Sequence, residues 1–173
     1  MTDDFLKEFV ACAGAALEAE DRFIREAGRG RGKAGGLLRS QHEKFYQYIV
    51  WKAAYSKWPT EVERSRHDLV ILDPSDHLKY RCVFEMKNWL SKLSFRELPC
   101  IRSDVDTKLK DCFAEDSALI IFSGNDPGCM DQQLKFFEEQ VFPGIDRPMR
   151  ETYCFQTQSD EPNFPNGKRW SSG

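Results

Sequence analysis

Two short stretches decide how this chain reads: His67-Asp68-Leu69-Val70-Ile71-Leu72-Asp73 and Tyr80-Arg81-Cys82-Val83-Phe84-Glu85-Met86-Lys87. Both are rich in the β-branched and aromatic residues that suit a pleated, half-buried surface. Between them lies Pro74-Ser75-Asp76-His77-Leu78-Lys79, whose Pro, Ser and Asp favour a turn. In a strand, side chains two apart share a face. Glu85 and Lys87 therefore point the same way as Arg81 and Val83, while Tyr80, Cys82, Phe84 and Met86 point into the core. A symmetric hairpin about the turn sets Asp68 directly across from Glu85, with Cβ atoms about 4.5–5.5 Å apart. A slip of one residue would turn that whole face over. Two carboxylates so close repel unless a proton or a cation lies between them. Magnesium takes one or two carboxylates plus water and phosphate oxygens, which this pair can supply. Lys87 adds an ammonium within reach of an attacking water or of charge developing on phosphorus.

The flanking elements follow from periodicity. A helix is expected over residues 3–27, with Phe5, Phe9, Ala16, Leu17 and Phe23 near helical spacing and Asp3 or Asp4 as cap. Gly28 to Gly36 is too glycine-rich to stay helical and reads as a flexible basic connector. A second helix is expected from Leu37 to Lys57, its stripe formed by Leu38, Phe45, Ile49 and Ala53. Strands follow at Glu61–Ser65, His67–Asp73 and Tyr80–Lys87. A helix over Arg102–Glu115 comes next, with Val105, Leu109, Cys112 and Phe113 on one side. Ser117–Ser123 is a continuous apolar run, the signature of a strand covered on both faces. A helix over Met130–Val141 and a strand over Glu151–Gln156 complete the pattern. The order is α-α-β-β-β-α-β-α-β. Consecutive strands imply hairpins, and the helix between Lys87 and Ser117 implies a crossover to a parallel neighbour. The expected class is α/β, a mixed sheet flanked by helices. Residues 1–156 are expected as one domain with its core over residues 37–123, and residues 157–173 as a polar tail.

Composition bounds the function. The 173 residues suit one sizeable core, and 40% apolar with 31% charged residues is globular composition. No stretch approaches the roughly 20 apolar residues of a membrane helix, so no membrane partner is expected. The acidic start Met1-Thr2-Asp3-Asp4 is unlike a secretory signal, and a cytoplasmic location is expected. Of the six cysteines, Cys12, Cys82, Cys112 and Cys154 lie in apolar segments as small hydrophobes, and neither Cys-x-x-Cys nor zinc spacing occurs. The net charge of −3 hides an asymmetry. From Gly28 to Arg66, nine basic residues (Arg29, Arg31, Lys33, Arg39, Lys44, Lys52, Lys57, Arg64 and Arg66) stand against Glu43, Glu61 and Glu63. A basic segment beside an acidic pocket suits a metal-dependent enzyme acting on a polyanion; a solvated helix face is the plainer reading.

Glu63-Arg64-Ser65-Arg66-His67-Asp68-Leu69-Val70-Ile71 followed by Val83-Phe84-Glu85-Met86-Lys87 resembles the PD-(D/E)XK nuclease superfamily, the restriction-endonuclease-like fold. The helix-strand-strand-strand-helix-strand order from Leu37 to Ser123 matches that family's core and covers about half the chain. The resemblance implies that Asp68 is the first metal-binding aspartate, Glu85 the second acidic ligand and Lys87 the catalytic lysine. It further implies a helical glutamate near the metal, for which Glu43 is the candidate. His67 stands where the family's name places proline. Glu61 and Glu63, on one face of the first strand, compete with Glu43 for the pocket.

The implied activity is hydrolysis of phosphodiester bonds, in DNA first of all, with Mg²⁺ or Mn²⁺ as cofactor. Arg29, Arg31, Lys33 and Lys108 are candidates for gripping the nucleic-acid backbone. Lys108 and Lys110 read equally well as plain surface, and Ser103 is expected at a helix start with N–H groups open to phosphate. A homodimer or another protein partner is compatible with the sequence. The alternative is a nuclease-fold protein without catalysis: an immunity protein, an adaptor or a subunit of a defence or repair complex.

Other motifs fall away. Gly28-Arg29-Gly30-Arg31-Gly32-Lys33-Ala34 is one residue short of a Walker loop, lacks the following Ser/Thr and follows a helix instead of a strand. His42-Glu43 has no second histidine four residues on. The aromatic cluster Tyr46, Tyr48, Trp51, Tyr55 and Trp58 suits packing into a core or partner better than base stacking.

Overall fold

The computed structural model describes residues 3–27, 42–89, 98–109, 112–123, 152–153 and 169–170, together with Gln132, Lys135 and Glu139. The chain forms two compact units, Met1–Lys57 with Met149–Gly173, and Trp58–Pro148.

The first unit contains helices α1 (Asp3–Glu26) and α2 (Glu43–Tyr55) and a two-residue pairing of β5 (Thr152–Tyr153) with β6 (Arg169–Trp170). Helix α1 buries Phe5, Phe9, Ala13 and Ile24, residues that fall on one side at 3.6 residues per turn. Phe23, expected on the same stripe, is exposed. Helix α2 buries Tyr46, Ile49, Val50 and Ala54. The helices are tied at one end, where Cys12 Sγ donates to the Ala53 carbonyl at 3.5 Å and Lys57 Nζ meets Glu8 Oε1 at 2.8 Å. Of the aromatic cluster, Tyr46 is fully buried, whereas Tyr48 and Tyr55 are exposed and lie tilted against Trp51. Arg169 and Trp170, within the expected tail, pair with Tyr153 and Thr152.

The second unit is a four-stranded mixed sheet in the order β1 (Thr60–Arg64), β2 (His67–Leu72), β3 (Tyr80–Trp89), β4 (Ala114–Ser123). The first three strands form an antiparallel meander, and β3 pairs with β4 in parallel, as a helical crossover requires. The hairpin register is the symmetric one: Leu69, Val70 and Ile71 face Phe84, Val83 and Cys82. It survives a shift at Leu72↔Tyr80, which leaves Arg81 as the extra, bulged residue of β3. The connecting turn is set by Asp73, whose carboxylate accepts the Ser75 and Asp76 N–H groups at 2.7 and 3.3 Å.

The crossover departs from the sequence expectation. Helix α3 spans Leu98–Asp104 and passes into a π-helical turn over Val105–Leu109. Pro99 is tolerated there because the first turn needs no N–H at that position. The helix therefore starts before Arg102 and stops before Glu115, and Ala114 and Glu115 belong to β4. Phe113, expected on the apolar side, is fully exposed. Ser103 lies near the end of α3, so its N–H is not at a helix start; its carbonyl accepts the Thr107 hydroxyl at 2.6 Å. Val105 and Leu109 pack on Val70, Leu72 and Val83, with Leu119 and Tyr80 beside them. These contacts place the π-helical turn on the sheet face that carries Val70 and Val83. The opposite face presents Leu69, Ile71, Cys82, Phe84 and Met86, all buried. Most of the expected helix over Met130–Val141 lies outside the described residues; Gln132 and Lys135 are helical. No helix among the described residues is long and apolar enough to cross a membrane.

Candidate functional site

The register that pairs Leu69 with Phe84, continued one step, brings Asp68 opposite Glu85 on the face covered by α3 and the π-helical turn. At that step the strands are joined by a side chain, for Asp68 Oδ2 accepts the Met86 N–H at 2.7 Å. A backbone donor at the end of the ladder is thus satisfied by a carboxylate held beside Glu85.

The local backbone is bent to allow this. Glu63, Ser65 and Arg66 have φ values of 54°, 50° and 74°, the left-handed region that glycine fills without penalty. Ser65 and Arg66 form the two-residue connection between the paired residues Arg64 and His67, where positive φ at both positions is the geometry of the favoured hairpin turn. Glu63 breaks the alternation of β1, so Glu61 and Glu63 do not share a regular strand face. Glu61 is engaged by Arg64 at 2.8 Å, and Glu63 is exposed.

Glu85 is 0% exposed. Its Oε2 accepts the Lys108 ammonium at 2.7 Å, and its Oε1 lies 3.5 Å from His67 Nδ1. That separation is too long for a hydrogen bond, and neither Oε1 nor Nδ1 has another partner. Lys108 also reaches Asp104 Oδ1 at 3.1 Å, and Asp104 Oδ2 takes the Lys87 ammonium at 2.6 Å. An unbroken path of contacts thus runs His67, Glu85, Lys108, Asp104, Lys87.

The electrostatics follow from burial against pairing. Burial pushes the Glu85 carboxyl up to about 7; repulsion from Asp68 and Asp104 adds to this, and Lys108 opposes it. Burial acts the same way on Asp104, but Lys87 and Lys108 outweigh it and hold that carboxyl below its ordinary value. For Lys108 burial favours the neutral amine, yet Glu85 and Asp104 win and its pKa is raised. His67 is driven toward its neutral form by burial and then by the positive charges of Lys108 and Arg66. With every acid ionised, the carboxylates of Asp68, Glu85 and Asp104 exceed the ammonium groups of Lys87 and Lys108 by one negative charge. A proton on Glu85 or a bound cation balances it.

These residues fit a divalent cation. A buried carboxylate oxygen without a hydrogen-bond partner, beside a second carboxylate and in a cluster with surplus negative charge, is what such an ion requires. No group of three His, Cys, Asp or Glu side chains among the described residues stands at ligating distance of a common point. Water and substrate oxygens would complete the coordination, as is usual for Mg²⁺.

The structure therefore brings together Asp68, Glu85 and Lys87 from the sequence reading. It adds Asp104 and His67 and turns Lys108 inward onto Glu85. Spacing could have found Asp104, since Asp104 and Lys108 are four apart on a helix and flank the apolar stripe of Ile101, Val105 and Leu109. Glu43 is the first residue of α2, in the first unit. Arg29, Arg31, Lys33 and Lys110 lie outside the described residues. No protein-family model, curated protein or solved structure matches the chain.

Proposed function

We propose that the protein is a divalent-metal-dependent nuclease of the restriction-endonuclease-like fold, acting on DNA. The observation that carries this reading is Glu85: a buried carboxylate near pKa 7, one oxygen without a hydrogen bond, flanked by Asp68 and followed on the same face by Lys87. The α-β-β-β-α-β order and the mixed sheet are compatible with that fold.

In this reading Asp68 and Glu85 would hold Mg²⁺ or Mn²⁺. Such an ion would supply Lewis acidity toward the phosphoryl group. Lys87 orients the attacking water and stabilises the pentavalent phosphorus. Asp104 positions the Lys87 ammonium at 2.6 Å and holds Lys108 on its other oxygen at 3.1 Å. Water adds to phosphorus, the bridging P–O bond breaks, and the proton passes to the departing alkoxide.

The pairing of Lys87 with Asp104 favours a second reading, a nuclease-fold protein used for binding, in which the charge network is structural. Incubation with plasmid, single-stranded DNA and RNA separates the two. Cleavage that needs Mg²⁺ or Mn²⁺ and stops with chelator supports the nuclease. Intact substrates together with no calorimetric heat for either metal support the binder.

A further inference from the structure

The nuclease reading gives His67 no role, yet His67 holds the most unusual position in the cluster. It is 7% exposed, its Nδ1 lacks a hydrogen-bond partner, and that nitrogen faces a second such atom, Glu85 Oε1, across 3.5 Å. A buried polar atom without a partner carries a desolvation penalty, and two such atoms facing each other need something between them. Donor atoms each about 2.1 Å from a shared ion stand roughly 3.0 to 3.5 Å apart at octahedral or tetrahedral angles. The observed gap has that size.

We propose that His67 Nδ1 and Glu85 Oε1 are joint ligands of one divalent ion, and that this nitrogen donor makes the centre select first-row transition ions over Mg²⁺. The inference deepens the nuclease reading by naming the cofactor class, and rests on it for the location of the metal. Imidazole binds borderline ions well, whereas Mg²⁺ prefers an all-oxygen shell. Lys108 holds the second oxygen of Glu85, so the carboxylate offers the ion one oxygen. Asp68 adds negative charge beside both ligands.

The test loads the whole protein with Mn²⁺ and records electron spin-echo modulation, which registers an imidazole nitrogen bound directly to Mn²⁺. The wild type is expected to give that nitrogen signal, and His42→Gln and His77→Gln to keep it. His67→Gln is expected to lose it and to bind Mn²⁺ at least tenfold more weakly, with Mg²⁺ affinity changed less than threefold. Absence of the nitrogen signal in the wild type overturns the inference without reference to any variant. So does Mg²⁺ that displaces Mn²⁺ at equal concentration. A nitrogen signal without DNA cleavage supports the ligand assignment while removing the nuclease reading. Cleavage without the signal overturns the assignment and leaves the nuclease reading standing.

Discussion

Lys108 places its ammonium 2.7 Å from Glu85 Oε2, joining the crossover to the buried acid in the middle of β3. Each group stabilises the charged form of the other against burial. Lys108→Met removes the cation and leaves Glu85 buried beside two other carboxylates. The expected loss is about 1–3 kcal/mol at pH 8, below the full value for a buried pair because Lys108 keeps some contact with solvent. At pH 5, where Glu85 carries its proton, the loss shrinks. Urea unfolding of both proteins at the two pH values checks this; an equal loss at both would contradict it.

Glu85 itself makes stability depend on pH. Its carboxyl titrates at about 7 in the folded protein against an ordinary 4.5. Between those values the folded state keeps a proton that the unfolded chain has lost, so this contribution is present in full below pH 4.5 and falls away as pH rises to 7. By the free energy of one pH unit, about 3 kcal/mol is involved. Glu85→Gln is therefore expected to exceed the wild type in stability by about 1–3 kcal/mol at pH 8, without added metal, and to match it near pH 5. Taking the difference between the two proteins cancels the opposite contribution of His67, whose lowered pKa favours folding as pH rises. A wild type more stable than Glu85→Gln at pH 8 would contradict the assignment.

Asp68 has a structural duty separable from chemistry. Asp68→Ala leaves the Met86 N–H without its acceptor and is expected to cost about 1–2 kcal/mol, with faster hydrogen exchange at Met86. Asp68→Asn retains an acceptor oxygen and is expected to restore both, yet to stay inactive for want of charge. Activity that recovers together with Met86 protection in Asp68→Asn would show the carboxylate charge to be dispensable.

The turn at Ser65-Arg66 offers a test of local strain. Arg66 is exposed with φ 74°, where a side chain is unfavourable and glycine is not. Arg66→Gly is expected to raise stability by about 0.5–1 kcal/mol, read as a higher thermal midpoint. A lower midpoint would mean that the Arg66 side chain contributes contacts outweighing that strain.

Much of this arrangement was legible in the sequence, and the remainder had physical reasons to hide. A symmetric hairpin about the turn at Asp73 gives the observed pairing of Leu69, Val70 and Ile71 with Phe84, Val83 and Cys82, and one step further sets Asp68 beside Glu85. The bulge at Arg81 has no trace in composition, and it lies on the turn side of the paired residues, where it leaves the register of Leu69 with Phe84 unchanged. The crossover departs from the sequence expectation at both ends, because a proline is acceptable in a first turn and because a switch from α to π geometry has no residue signature. Asp104 and Lys108 meet within that crossover, and Ser103 lies near the end of α3. His67 carries no sequence signal of its approach to Glu85. Its ring comes within 3.5 Å of Glu85 although its neighbour Asp68 lies across from that residue, and regular strand alternation gives no hint of this.

The central claim is that this cluster cleaves phosphodiester bonds, and Lys87 tests it most directly. Its ammonium bonds to Asp104, so Lys87→Ala leaves the acidic residues in place. The measurement is single-turnover cleavage of labelled duplex DNA with saturating Mn²⁺, for the wild type and Lys87→Ala, with metal affinity determined in parallel. The expected result is Mn²⁺-dependent cleavage by the wild type and a rate at least 100-fold lower in the variant, about 2.7 kcal/mol of lost transition-state stabilisation, at metal affinity within threefold. Cleavage by Lys87→Ala at the wild-type rate, or none by either protein, would contradict it.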